Sequence, residues 1–105
     1  MSGEKLTKLK NNVDKNPDSP LARYALANEY FKQKMYADAI EELKRYLEIH
    51  NDEGAAYRIL AYSYEKLDQR DMAIQSFRDG IKAAEKNGHD SMVEEFSDEI
   101  ERLED

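Results

Sequence analysis

The stretch 26–43, LANEYFKQKMYADAIEEL, predicts two packed antiparallel helices joined by a short turn. In each half the apolar residues are spaced three and four apart, which places them on one face of a helix. The first half contributes Leu26, Ala27 and Tyr30, and the second half contributes Ala39, Ile40 and Leu43. The remaining positions are mostly polar, as expected for helices with one buried face.

The same pattern returns 34 residues later, with residues that are identical or similar in bulk. The matching set is Leu60, Ala61, Tyr64, Ala73, Ile74 and Phe77. A 34-residue period of helix pairs is typical of helical solenoids. Helix axes approach to ~8 Å only where the side chains at the crossing are small. We therefore expect Ala27 to lie at a crossing with Ala39, and Ala61 at a crossing with Ala73.

Two further segments each match one helix of the two-helix unit. Residues 4–15 carry Leu6, Leu9 and Val13 in phase with the second helix of a unit. Residues 90–104 carry an apolar stripe made of Val93, Phe96, Ile100 and Leu103. This stripe matches the first helix of a unit if the loop before it is two residues longer. The sequence thus predicts an all-α single domain over 1–105, with about six helices: a half-repeat helix at 4–15, repeats at 20–53 and 54–87, and a capping helix at 90–104.

Several residues mark the helix ends. Asp18 or Ser19 can cap a helix that has Pro20 in its first turn, and Asn51 or Asp52 can cap the next unit. Expected helices cover about 20–34, 37–49, 53–67 and 70–86. The turn near Lys34 contains no glycine, so only the change of apolar phase predicts it. Gly80 lies inside a predicted helix at a cost of ~1 kcal/mol relative to alanine, which close packing against a bulky neighbour would explain.

The chain resembles the tetratricopeptide repeat family from about Leu6 onward. The residues that carry the resemblance are Leu26, Ala27, Tyr30, Tyr36, Ala39 and Leu43 in one repeat, Tyr57, Leu60, Ala61, Tyr64, Ala73 and Phe77 in the next, and Pro17 at the repeat-ending proline. The chain departs from the family pattern at Arg23, Arg70, Asn51 and Glu85, and also at Tyr46 and Gly80, where the family prefers alanine. The resemblance implies a right-handed superhelix of antiparallel helix pairs whose concave groove holds a peptide or protein.

Composition limits the other classes of function. The net charge is −7 over 105 residues, which disfavours nucleic acid and anionic membrane surfaces as partners. There is no cysteine for a disulfide, a thiolate metal site or a cysteine nucleophile. His50 and His89 stand far apart, no phosphate loop or catalytic grouping is present, and no apolar run suits a signal peptide or a membrane span. We expect a cytoplasmic protein that is not an enzyme and uses no cofactor or metal.

On the first helix of each repeat, a second stripe of side chains lies outside the core face. The resemblance to tetratricopeptide repeats implies that this stripe lines the concave groove. The expected contact residues are Tyr24, Asn28, Phe31, Lys32, Arg58, Tyr62 and Lys66. Tyrosine and arginine often supply binding energy at interfaces. Three basic residues against Glu65 favour a ligand with an acidic group or a free C-terminal carboxylate. Exposed lysines and arginines are also commonly solvated without binding a partner. Some repeat domains of this kind clamp the C-terminal carboxylate of chaperones, but Tyr24 and Ile59 do not fit that clamp.

Self-assembly is the alternative hypothesis. The stripe of the last helix has heptad spacing, and the N-terminal half unit leaves an apolar edge that another copy could cover as a weak homodimer. Two heptads are fewer than a free-standing coiled coil normally needs. We therefore favour a terminal helix that caps the last repeat.

Overall fold

The computed structural model describes residues 2–105, which form six α-helices and no strand. The helices are α1 (Ser2–Lys15), α2 (Pro20–Lys32), α3 (Tyr36–Ile49), α4 (Ala55–Lys66), α5 (Arg70–Lys86) and α6 (Asp90–Glu104). The predicted all-α class and helix order are confirmed. Within the described range no helix has the length and apolar character needed to cross a bilayer.

The chain divides into two compact units, Met1–Asn51 and Asp52–Asp105. In the first unit α2 packs against both α1 and α3, and in the second unit α5 packs against both α4 and α6. Each unit therefore contains one complete helix pair and one additional helix. The expectation of a single domain with repeats at 20–53 and 54–87 stays a prediction.

The core of the first unit is built around the crossing of α2 and α3. Ala27, Ala39 and Leu43 are fully buried on these two packed helices, and the crossing of Ala27 with Ala39 stays a prediction. Leu26 and Tyr30 are also buried. From α1, Val13 belongs to one cluster with Leu26, Tyr30 and Ala39, and Leu6 and Leu9 pack against this cluster as half-buried side chains.

The second unit repeats this core and adds aromatic packing from α6. Ala61 and Ala73 are fully buried on the packed helices α4 and α5. The rings of Phe77 and Phe96, both fully buried, lie 5.4 Å apart between centroids. A Cβ atom at Gly80 would come within 2.7 Å of the Phe96 ring, so close packing against a bulky neighbour explains this glycine.

Helices α2 and α4 end in the same hydrogen-bonded turn. Lys34 and Asp68, which are equivalent in the repeat, adopt left-handed φ values of 62° and 59°. The Met35 N–H then bonds to the Tyr30 carbonyl, and the Gln69 N–H bonds to the Tyr64 carbonyl. This is the Schellman arrangement, which usually has glycine at the left-handed position. Here lysine and aspartate take the strained position, so no glycine marks either turn in the sequence.

Side-chain caps start α2 and α4. Ser19 Oγ accepts a 3.1 Å hydrogen bond from the Ala22 N–H, as one of the two predicted caps. Asp52 Oδ2 accepts from the N–H groups of Gly54 at 2.8 Å and Ala56 at 2.9 Å. The predicted start of α4 near residue 53 is wrong by two residues, because Gly54 has a φ of 138° and cannot belong to a helix.

Candidate functional site

The first unit carries four of the predicted contact residues, all on α2. Tyr24, Asn28 and Phe31 are half-buried, and Lys32 is exposed. The Tyr24 ring lies 5.0 Å from the Tyr46 ring, and the Phe31 ring meets the Tyr36 ring edge-on at 5.6 Å. Aromatic side chains of α3 thus fix both rings of α2 and leave part of each accessible.

An apolar recess lies beside Tyr24 in the first unit. It has a volume of about 360 Å³ and is lined by Pro20, Leu21, Tyr24, Tyr46 and His50. Leu21 is 81% exposed, the largest exposure among the large hydrophobic side chains that are exposed in the described chain. The periodicity of α2 alone could not predict this recess, because the recess also needs Tyr46 of α3 and His50, which follows α3.

In the second unit Arg58 is held by α6. Its Nε and Nη2 atoms donate to the two carboxylate oxygens of Glu95 at 2.6 and 2.7 Å. The guanidinium carbon also lies 5.4 Å from the centre of the Phe96 ring. Hydrogen bonding from Arg58 lowers the pKa of the Glu95 carboxyl. A partner's carboxylate at Arg58 would therefore have to replace Glu95.

Tyr62 and Lys66 have different surroundings. The Tyr62 ring packs edge-on against the Phe77 ring at 5.6 Å, and its hydroxyl hydrogen-bonds to Glu99. Burial, followed by this hydrogen bond, raises the pKa of the Tyr62 hydroxyl. Lys66 is exposed at the end of α4. Of the three predicted contacts on α4, only Lys66 extends fully into solvent.

A second ion pair joins α4 to α6. Arg102 donates to both carboxylate oxygens of Glu65 at 2.8 Å, and to Glu99 at 2.9 Å. These bonds lower the pKa of Glu65 and raise that of Arg102. Glu95 and Glu99 of α6 are therefore bound by arginines, whereas Glu94, Asp98 and Glu101 are exposed. Both pairs join residues that are 37 apart in the sequence, one more than the offset at which the α6 stripe matches α4, so the repeat pattern alone did not indicate them.

One departure from the family pattern has a structural explanation. Arg23, which stands where the family has an aromatic residue, donates to Glu42 of α3 at 2.8 Å. Both side chains are largely buried, at 13% and 14% exposure, and Arg23 also donates to the Pro17 carbonyl. Arg23 thus joins α2 to α3 by charge instead of by aromatic packing.

The two histidines lie in different surroundings. His50 follows α3, with its ring 5.2 Å from the Tyr46 ring, and His89 precedes α6, 3.5 Å from a Glu53 oxygen. Within residues 2–105, no group of three or more histidine, aspartate or glutamate side chains could hold a metal ion. All apolar residues of the α6 stripe are at least partly covered: Phe96 and Leu103 are buried, and Val93 and Ile100 are half-buried.

These features define a small helical repeat protein. A family model described as tetratricopeptide repeat matches residues 1–84. The chain therefore belongs to the tetratricopeptide repeat family, a fold that generally serves protein–protein interaction.

The solution structure of protein BPP2914 from Bordetella parapertussis has a similar fold. It superposes with a TM-score of 0.79 and is 22% identical, over 93% of this chain and 85% of that chain. At this level of identity the likeness concerns the fold alone. No curated protein sequence matches the chain.

Proposed function

We propose that the chain is a scaffold or adaptor module that binds a peptide segment or a partner protein along the stripes of α2 and α4. The contact set is the one expected from the sequence: Tyr24, Asn28, Phe31, Lys32, Arg58, Tyr62 and Lys66. The observation that carries the proposal is the pair of half-buried α2 rings, Tyr24 and Phe31, which are oriented by rings of α3; exposed Lys32 follows Phe31 in the sequence. Fixed aromatic side chains supply contact area with little loss of conformational entropy.

The basic residues have different roles in this proposal. Lys32 and Lys66 are exposed and would orient an acidic group or a C-terminal carboxylate of the partner. Arg58 already donates two hydrogen bonds to Glu95, so it would contribute only where the partner replaces that carboxylate. Affinity for a single peptide should be modest, because exposed charges add little net energy at an interface.

The net charge of −7 supports a protein partner over nucleic acid or an anionic membrane surface. A cytoplasmic location and the absence of catalysis are part of the same proposal. Homo-oligomerisation through α6 is less favoured, because Phe96 and Leu103 are buried within the second unit. A light-scattering mass above 12.2 kDa that rises with concentration would reopen that alternative.

The test is recovery of partners by the wild-type chain and by Lys32→Glu/Lys66→Glu. Both lysines are exposed, so the variant should keep its fold. The matched control is Lys82→Glu/Lys86→Glu, which makes the same charge change at exposed positions of α5. We expect partners to be lost with the first variant and retained with the control. Equal recovery of every partner by all three chains would reject the contact set.

Arg58→Glu/Tyr62→Ala is a poorer test of binding. Arg58 and Tyr62 bond to Glu95 and Glu99, so this double substitution also removes contacts between α4 and α6. A loss of binding could then reflect a change in the second unit instead of a lost contact with the partner.

A further inference from the structure

The turn between α5 and α6 contains a chemically labile pair of residues, Asn87 and Gly88. Both residues are exposed, and Gly88 has a left-handed φ of 72°. Asparagine is among the least durable residues in warm water, and a following glycine lets the next backbone nitrogen approach the asparagine side chain without a Cβ atom in the way. The chain has six asparagines, and Asn87 is the one that precedes a glycine.

The reaction open to this pair needs water as its only co-reactant. The Gly88 backbone nitrogen attacks the side-chain carbonyl carbon of Asn87, so that a new carbon–nitrogen bond forms. The side-chain amide leaves as ammonia and takes the proton from the Gly88 nitrogen. Water then opens the cyclic imide at either of its carbonyls. One opening gives aspartate, and the other gives isoaspartate, in which the main chain runs through the former side chain.

The folded chain holds both reacting groups apart. Asn87 has a ψ of 8°, which turns the Gly88 nitrogen toward the backbone nitrogen of Asn87 and away from its side chain. The Asn87 Nδ2 atom donates to the Ala83 carbonyl at 2.8 Å, and the Gly88 N–H donates to the Glu85 carbonyl at 3.2 Å. The last turn of α5 must therefore open before the ring closes. Helix ends open locally at much lower free energy than the whole chain unfolds.

Asp79 and Gly80 provide a comparison within the same helix. An aspartate followed by a glycine cyclises by the same route, with water leaving in place of ammonia. Asp79 accepts a 2.9 Å hydrogen bond from Gln75, and Gly80 is buried, with the Phe96 ring 2.7 Å from the place of a Cβ atom. The fold thus closes this pair, whereas the pair at the end of α5 lies at an exposed helix end.

The same turn leads into α6. The His89 N–H donates to the Ala84 carbonyl at 2.9 Å, and the His89 carbonyl accepts from the Val93 N–H at 3.1 Å. Isoaspartate adds an atom to the main chain before Gly88, so the N–H groups of Gly88 and His89 cannot both keep their carbonyl partners on α5. The new carboxylate also stands at the C-terminal end of α5, where negative charge is unfavourable.

We propose that Asn87 is a modification site, which converts slowly to aspartate and isoaspartate through local opening of the last turn of α5. The isoaspartate form loosens the connection between α5 and α6. Asn87 lies outside the proposed contact set, so this inference is independent of the proposed function.

The first test follows conversion at each asparagine by peptide mapping and mass spectrometry, during incubation of the full chain near neutral pH. A synthetic peptide of residues 83–92 gives the rate without the fold. We expect Asn87 to convert in the full chain at least about tenfold more slowly than in the peptide, because only the opened turn reacts. The other asparagines and Asp79 should convert much more slowly than Asn87.

Variants separate local opening from other causes. Lys86→Gly weakens the last turn of α5 at an exposed position and should raise the rate at Asn87 by up to about fivefold. Lys44→Gly is the matched control, since it makes the same change at an exposed position of α3, and it should leave this rate unchanged. Asn87→Gln should remove the reaction, because a longer side chain closes a larger ring.

The isoaspartate form, separated by chromatography, should unfold about 4–8 °C below the unmodified chain, as expected for the loss of one capping turn in a domain of this size. Asn87→Asp adds the charge but keeps the main chain, so its melting temperature should fall by less. An isoaspartate chain as stable as the unmodified one would overturn the inference. Equal rates in the full chain and the peptide, equal rates in Lys86→Gly and Lys44→Gly, or no conversion at Asn87 while the peptide reacts would do the same.

Discussion

The two units share the turns that follow α2 and α4 and the small core residues, but they differ at a buried position where the first has Tyr46 and the second has Gly80. Tyr46 stacks with Tyr24 and His50 inside its own unit, with ring centroids at 5.0 and 5.2 Å. Gly80 exposes its backbone to the Phe96 ring of α6. In the second unit the missing side chain at Gly80 thus allows the Phe96 ring to pack directly on the backbone of α5.

The largest expected effect is removal of the ring that Gly80 accommodates. Phe96 is fully buried against Phe77, so Phe96→Ala should lower the free energy of unfolding by about 3–5 kcal/mol. Urea unfolding followed by circular dichroism measures the loss. Val93→Ala, at a half-buried position of the same helix, is the control and should cost much less. If the two variants were equally stable, α6 would not be anchored through Phe96.

A second substitution tests the glycine itself. Gly80→Ala places a Cβ atom within 2.9 Å of Tyr57 Cβ and closer still to the Phe96 ring. We expect a net loss of about 1–2 kcal/mol, because overpacking exceeds the gain in helix propensity. Gly3→Ala is the matched control, since Gly3 lies in α1 with nothing within 4 Å. That substitution should stabilise slightly, and the same sign at both positions would contradict the comparison.

The core and helix order could be predicted from the sequence because both depend on periodic apolar residues. The alanines at 27, 39, 61 and 73 indicated the crossings, and Gly80 indicated a bulky neighbour. The state of Arg58 could not be predicted in this way. Its partner Glu95 is 37 residues away on α6. The pairing depends on the loop before α6, which is two residues longer than the 34-residue period would give. The recess likewise depends on how side chains of two helices meet.

The two units should behave alike at the turns that follow α2 and α4. Lys34 and Asp68 both have left-handed backbone angles, which disfavour residues other than glycine. Lys34→Gly and Asp68→Gly should each raise the free energy of unfolding by about 0.5–1 kcal/mol. Lys44→Gly, at an exposed position within α3, should instead destabilise by about 1 kcal/mol. Thermal unfolding distinguishes these signs, and destabilisation by either turn variant would be evidence against the Schellman geometry.

The smallest expected effect concerns the ion pair between Arg58 and Glu95 in the second unit. At the repeat position of Arg58 the first unit has Tyr24. Hydrogen bonding from Arg58 lowers the pKa of Glu95 in the folded chain, so the unfolded chain binds more protons in acid. The stabilisation is complete above the unfolded pKa of about 4.3 and is lost as the pH falls through the lower folded pKa.

Glu95→Gln should therefore weaken the dependence of unfolding free energy on pH below about pH 5, by a few tenths of a kcal/mol for a partly exposed pair. Urea unfolding at several pH values between about 3 and 6 measures this slope. Glu94→Gln, at the exposed neighbouring position, is the control and should keep the wild-type slope. An unchanged slope for Glu95→Gln would mean that the Arg58 pair adds no stability in solution.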